Sequence, residues 1–350
     1  AAFRELGVFG TAGEKQTAES LMAQCNIADT YRHLLGRWLE KLAAEGLLTQ
    51  DGESFVSAKP LPETGLDSIL NEARATLADV PTLLNYVEGC GSRLAAVLTG
   101  KESPLETLFP GGEYTVVEYI YRDWAVARYF NSIARSVIEA AQNAKSGKAL
   151  RVIEIGAGTG GTSSALLPAL SPDSVYYYTD VSDFFLARAG QNFKDYAFAR
   201  YSLLNIEQDP QAQGYTLHSF DVVVAANALH ATRNLHQTLQ NAKSLLAPGG
   251  LLVLYETTDH QSWFDITTGL IEGWQLFEDD LRTDNPLLSA EQWLAAFKAN
   301  GFDEAIALPE PGSAADVLRQ HILVARAPLT GQGAESAEPE WERTRTSQVA

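Results

Sequence analysis

Glu154-Ile155-Gly156-Ala157-Gly158-Thr159-Gly160-Gly161 is the stretch that decides how this chain is read. It follows the β-branched run Arg151–Ile155 and opens a segment of helical character. Glycines at such a corner permit a tight turn and let a nucleotide come close to the backbone. Gly156, Gly158 and Gly161 satisfy G-x-G-x-x-G, and Asp180 ends the next strand, placed to hydrogen-bond ribose hydroxyls. Taken alone, the motif fits a nicotinamide dehydrogenase equally well.

Outward from this loop, the runs Arg151–Ile155, Val175–Thr179, Phe220–Ala225, Leu251–Tyr255 and His321–Ala325 alternate with helical segments. Such alternation predicts an α/β fold with a mainly parallel sheet over residues 144–327. Residues 1–143 read as mostly helical. Apolar residues recur at helical spacing from Tyr31 to Leu48, and Asp51-Gly52 then predicts a small hairpin, a winged-helix-like pairing. A longer helix is predicted from Val116 to Ala141, carrying Tyr119, Tyr121, Trp124, Tyr129 and Phe130. Residues 328–350, rich in Gly, Ser, Glu and Thr without apolar periodicity, read as a flexible linker or tail.

The 350 residues carry a formal net charge of −18, whereas a protein that grips phosphate backbones needs a basic stripe, so nucleic acid is excluded as a partner. No apolar run reaches the length of a membrane span, and the N-terminus lacks a signal pattern. The two cysteines, Cys25 and Cys90, offer neither a metal spacing nor a disulfide framework, which points to a reducing cytoplasm. His33, His218, His236, His260 and His321 show no ligand spacing, so no metal is expected. A chain beginning with Ala1 and containing only Met22 leads to the expectation of a segment from a longer polypeptide.

Three features separate the two readings of the glycine loop. Glu154, two residues before the first glycine, resembles the start of the E/D-x-G-x-G-x-G pattern of class I S-adenosylmethionine-dependent methyltransferases. Leu245-Leu246-Ala247-Pro248-Gly249-Gly250 resembles the helix-to-strand corner of that class, and no Tyr-x-x-x-Lys pair of short-chain dehydrogenases follows. The resemblance implies a Rossmann-like, seven-stranded sheet ending in an antiparallel hairpin, with S-adenosylmethionine across the C-terminal strand edge and S-adenosylhomocysteine as product. Glu154, Gly156, Gly158 and Gly160 would serve the methionine end and Asp180 the ribose. Asn205 falls where the class often has an acidic adenine neighbour.

His230 and Glu256 carry the remaining chemistry. They follow the fourth and fifth core strands, which this topology makes parallel neighbours, so both side chains emerge at the cofactor edge. An imidazole suits general-base work, and an adjacent carboxylate fixes its tautomer and stabilises its cation. By position alone, His230 also fits an ordinary loop histidine and Glu256 a solvated strand end.

Ala226-Asn227-Ala228-Leu229-His230-Ala231-Thr232 resembles the N-x-L-H-A-T signature of C-methyltransferase domains in type I polyketide synthases. Tyr31-Arg32-His33-Leu34-Leu35-Gly36-Arg37-Trp38-Leu39 and Gly273-Trp274-Gln275-Leu276-Phe277-Glu278-Asp279-Asp280-Leu281-Arg282 match as well, with Gln275 standing where the family tends to have a second tryptophan. The resemblance implies a β-ketoacyl chain on an acyl carrier protein as substrate, His230 and Glu256 as the catalytic dyad, and neighbouring synthase domains as partners. It also implies an N-terminal lid with Tyr121 at the active site (Tyr119 competes for that role), Trp274 by the acyl chain and Asn227 among the cofactor neighbours. A stand-alone O-methyltransferase acting on a free phenol or carboxylate, and a non-catalytic cofactor- or carrier-binding module, are the rival readings.

Overall fold

The computed structural model describes residues 1–62 and 66–329, so most of the expected tail lies outside the described residues. The chain forms two compact units. The first comprises Ala1–Ile120, His260–Phe277 and Arg282–Pro286; the second comprises Tyr121–Asp259, Glu278–Leu281 and, among the described residues, 287–329.

In the first unit, strands β1 (Lys15–Gln16), β2 (Thr49–Asp51) and β3 (Ser54–Val56) form an antiparallel sheet in the order β1-β3-β2. The β2–β3 hairpin is the one predicted at Asp51-Gly52, and Gly52 takes the positive φ of +62° that the turn requires. The periodic segment before it forms the helix Arg32–Ala44, which buries Leu34, Leu35 and Leu39. Those side chains meet Phe9, Leu21, Leu98 and Leu270 in one apolar core. Leu270 comes from the 260–277 excursion, whose backbone carbonyl also accepts from the Tyr31 hydroxyl at 2.9 Å.

The second unit is built on seven strands: β4 (Arg151–Ile155), β5 (Val175–Asp180), β6 (Ala199–Leu203), β7 (Phe220–Ala226), β8 (Leu246–Thr257), β9 (Glu304–Leu308) and β10 (Gln320–Arg326). Their order is β6-β5-β4-β7-β8-β10-β9, with β4 to β8 parallel and β10 antiparallel to both of its neighbours. The expected seven-stranded sheet with a final antiparallel hairpin is therefore present. Strand alternation divides the apolar residues between two faces. Ile153, Val223 and Leu254 meet Trp293 and Phe297 on one side, while Val152, Val224 and Tyr255 meet Phe130, Ala134 and Ile138 on the other. The strand order reverses at β4, so the glycine loop after it occupies the topological switch point where α/β sheets bind ligands.

Two expectations change. The helix predicted from Val116 to Ala141 is broken: a short helix Thr115–Glu118 runs into a π-turn at Tyr119–Asp123, Trp124 is extended (ψ 139°), and a second helix spans Ala125–Ala144. That second helix belongs with the sheet, because Phe130, Ala134 and Ile138 are part of its core and Phe130 stacks on Tyr255 at 5.4 Å. The division expected at residue 143 accordingly lies at Ile120/Tyr121, and residues 260–277 join the first unit.

Candidate active site

The glycine loop turns directly out of β4. Gly156, Gly158 and Gly160 have φ of +63°, +56° and +80°, a conformation that L side chains rarely adopt. Their surroundings differ. A Cβ at Gly156 would meet the Ala228 methyl at 2.8 Å, and one at Gly160 the Phe193 ring at 2.6 Å. At Gly158 the nearest atom is the Gly156 carbonyl at 3.9 Å, so open space lies over the middle of the loop.

Asp180, at the end of β5, braces this loop. Its Oδ2 accepts from the Gly158 amide and its Oδ1 from the Ser182 amide, both at 2.9 Å. Burial pushes its carboxyl above the usual range, and the backbone hydrogen bonds oppose that shift. Glu154 lies deeper, 1% exposed. Its Oε2 accepts from the Ser163 and Tyr176 hydroxyls, and burial raises its pKa to about 7. Glu154 thus lies in the protein interior at the end of β4, tied to Ser163 and Tyr176. Asn205 caps its own turn, with Oδ1 accepting from the Glu207 amide at 3.0 Å.

Parallel pairing of Ala226 with Tyr255 puts the ends of β7 and β8 side by side. Asn227 then takes φ +47°, donates its amide to the Tyr255 carbonyl at 2.7 Å and accepts from the Thr257 amide on Oδ1 at 3.1 Å. This side-chain bridge sets the path of the next residues, which form a 3₁₀ turn, Leu229–Ala231. The turn brings His230 Nδ1 to 2.6 Å from Glu256 Oε2, with His230 only 4% and Glu256 0% exposed. Neither is a surface loop group. Glu256 Oε1 is buried with no hydrogen-bond partner among the described residues.

Tyr121 lies in the same compact unit as this pair, whereas Tyr119 lies in the other. Burial and the Glu256 charge push the Tyr121 phenol above its ordinary value. Trp274 belongs to the first unit, buried against Phe264 at a ring distance of 5.4 Å. Gln275, beside it, donates to the Gly269 carbonyl at 2.8 Å. Sequence reasoning passed over Asn131, Thr162 and Thr257, whose residue types carry no motif; only their partners single them out.

Residues 153–252 match the family model described as a methyltransferase domain. Polyketide synthase PksR of Bacillus subtilis (strain 168) is 37% identical over 235 residues, 64% of this chain and 9% of that protein, so the chain spans about a tenth of its relative's length. The structure is similar to that of the CurJ carbon methyltransferase, with a TM-score of 0.88 and 37% identity, covering 93% of this chain and 88% of the other. The trans-methyltransferase CalH, solved in complex with SAH, gives a TM-score of 0.68 at 26% identity, covering 93% of this chain and 87% of that one. Among the described residues no helix is long and apolar enough to cross a membrane. With the class I sheet, the glycine loop and these likenesses in place, the chain belongs to the carbon methyltransferase family of polyketide synthases.

Proposed function

We propose that this chain transfers a methyl group from S-adenosylmethionine to the α-carbon of a β-ketoacyl thioester on an acyl carrier protein, with His230 as general base and Glu256 as its partner. The observation that carries this reading is the buried Nδ1–Oε2 contact of 2.6 Å beside the glycine loop. A carboxylate oxygen accepts, so Nδ1 carries the proton and Nε2 keeps its lone pair.

The residues suit the donor. Open space over Gly158 admits a nucleoside, and Asp180 at the strand edge offers carboxylate lone pairs beyond those its two amides use. When bound, S-adenosylmethionine supplies an electrophilic methyl group on sulfur. His230 would take the α-proton at Nε2, leaving the C–H electron pair on the α-carbon as nucleophile for the donor's methyl group, whose bonding pair to sulfur would return to sulfur as the new carbon–carbon bond forms. Glu256, fully buried and so weakly screened by solvent, stabilises the imidazolium that forms. Tyr121, in the same compact unit as the pair, serves the reacting acyl group. Neighbouring synthase domains supply and receive the carrier.

Intact-mass analysis of an acyl carrier protein bearing a β-ketoacyl chain tests the proposal. Incubation with this protein and S-adenosylmethionine should add a methyl group to the carrier-bound chain, and the free acid or a free phenol should stay unmodified. Methylation of free phenols with no reaction on the carrier would establish the O-methyltransferase reading in its place.

A further inference from the structure

The segment that carries Tyr121 is an unusual one to find beside a catalytic pair. It is a π-turn, Tyr119–Asp123, and the extended backbone at Trp124 cuts it off from the long helix Ala125–Ala144 that follows. A single turn of this kind is a low-stability element unless something outside it holds it. The tie comes from Asn131, two turns along the long helix and 3% exposed. Its Nδ2 donates to the Tyr121 carbonyl at 3.0 Å, and its Oδ1 accepts from the Thr162 hydroxyl at 2.8 Å. Thr162 sits in the first turn of the helix Gly161–Leu166, which leaves the glycine loop. The backbones also touch: a Cβ at Gly161 would stand 2.6 Å from the Tyr121 carbonyl oxygen. A side chain at Gly161, the last glycine of the motif, would therefore collide with the Tyr121 backbone.

We propose that Asn131 is a positioning residue for methyl transfer, locking the Tyr121 carbonyl onto the helix that follows the glycine loop and so fixing where the Tyr121 phenol stands relative to Glu256. The proposal rests on the reading of Tyr121 as an active-site group. The chemistry leaves the amide one orientation, since a carbonyl only accepts and the threonine hydroxyl is needed as donor. Asparagine is thus the residue that serves both partners. Aspartate at 131 keeps the acceptor for Thr162 but replaces the donor by an oxygen facing the Tyr121 carbonyl.

The test uses the full chain with Asn131→Asp, Asn131→Ala and Thr162→Val, measuring kcat, KM for the carrier substrate, cofactor affinity, Tm and the NMR titration of Tyr121 in ring-labelled protein, assigned through Tyr121→Phe. Asn131→Asp should lower kcat by about 10²-fold, the usual cost of a displacement near one ångström. KM and cofactor affinity should hold within about twofold, and the Tyr121 titration should move toward that of an ordinary tyrosine. Thr162→Val, which conserves shape and breaks the same chain from the other end, should move both readouts in the same direction by less. An unmoved Tyr121 resonance in the Asn131 variants overturns the proposal, as does a kcat loss that only tracks the folded fraction read from Tm. Should Asn131→Asp fail to fold, Thr162→Val decides by the same two readouts. Normal turnover by Tyr121→Phe would instead remove the tyrosine from the reaction, while the resonance still reports whether the clamp exists.

Discussion

His230 and Glu256 are 26 residues apart in the chain, yet Nδ1 of one stands 2.6 Å from Oε2 of the other, with both side chains buried. The contact follows from the parallel register of β7 and β8 and from the bridge that Asn227 makes to Thr257. If the pair acts as proposed, His230→Ala should leave cofactor affinity near normal and lower methyl transfer by about 10²–10⁴-fold. Glu256→Gln keeps an acceptor for Nδ1 but removes the charge, so its loss should be smaller. The double variant should cost little more than His230→Ala, because residues acting as one unit are non-additive. Exchange of the substrate α-hydrogens in deuterated water isolates the deprotonation step, and His230→Ala should abolish its acceleration.

The glycines of the loop should separate by function. Gly158→Val places a branched side chain in open space, so donor binding measured by calorimetry should fall at least tenfold, with backbone strain costing stability only about 1–2 kcal/mol. Gly160→Ala instead drives a methyl into the Phe193 ring and should lower Tm more than it lowers affinity per folded molecule.

Asp180→Ala should weaken donor binding by about 1–3 kcal/mol. The loss has two sources: the ribose contact proposed for this carboxylate, and the Gly158 and Ser182 amides that it holds in the free protein. Faster amide exchange at Gly158 in the free variant would register the second.

Glu154 gives stability a defined pH dependence. Its pKa rises from an ordinary 4.5 to about 7 on folding, so between those values the native state binds more protons than the unfolded one. Stability contributed by this group is therefore lost as pH rises from about 4.5 to 7 and is flat above, a span worth about 3 kcal/mol. Glu154→Gln should flatten that part of the Tm-against-pH curve and raise Tm at pH 8, while still accepting from Ser163 and Tyr176.

Removing residues 1–143 should abolish cooperative unfolding. That cut deletes Phe130, Ala134 and Ile138 from the sheet core and strips the face that Tyr255 presents. Thermal denaturation followed by circular dichroism checks this, and a sharp transition in the fragment would show that the helix Ala125–Ala144 is dispensable.

Features that depend on neighbours along the chain are readable from residue order. Glycines before a helix, five short apolar runs alternating with helical segments, and a histidine and a glutamate after strands were legible because short-range sterics and run composition are local properties. Two strands were not. Arg200-Tyr201-Ser202 lies in an edge strand with little apolar alternation, and Glu304-Ala305-Ile306-Ala307-Leu308 carries residues that favour helix, drawn into strand by pairing with β10. Tertiary structure alone decided that Glu154 faces inward, that residues 260–277 complete the core of the first unit, and that Asn131 joins Tyr121 to Thr162. Each of these depends on which buried polar or apolar group meets which other group across long chain separations, and a buried donor or acceptor is satisfied by position in space, not by order along the chain.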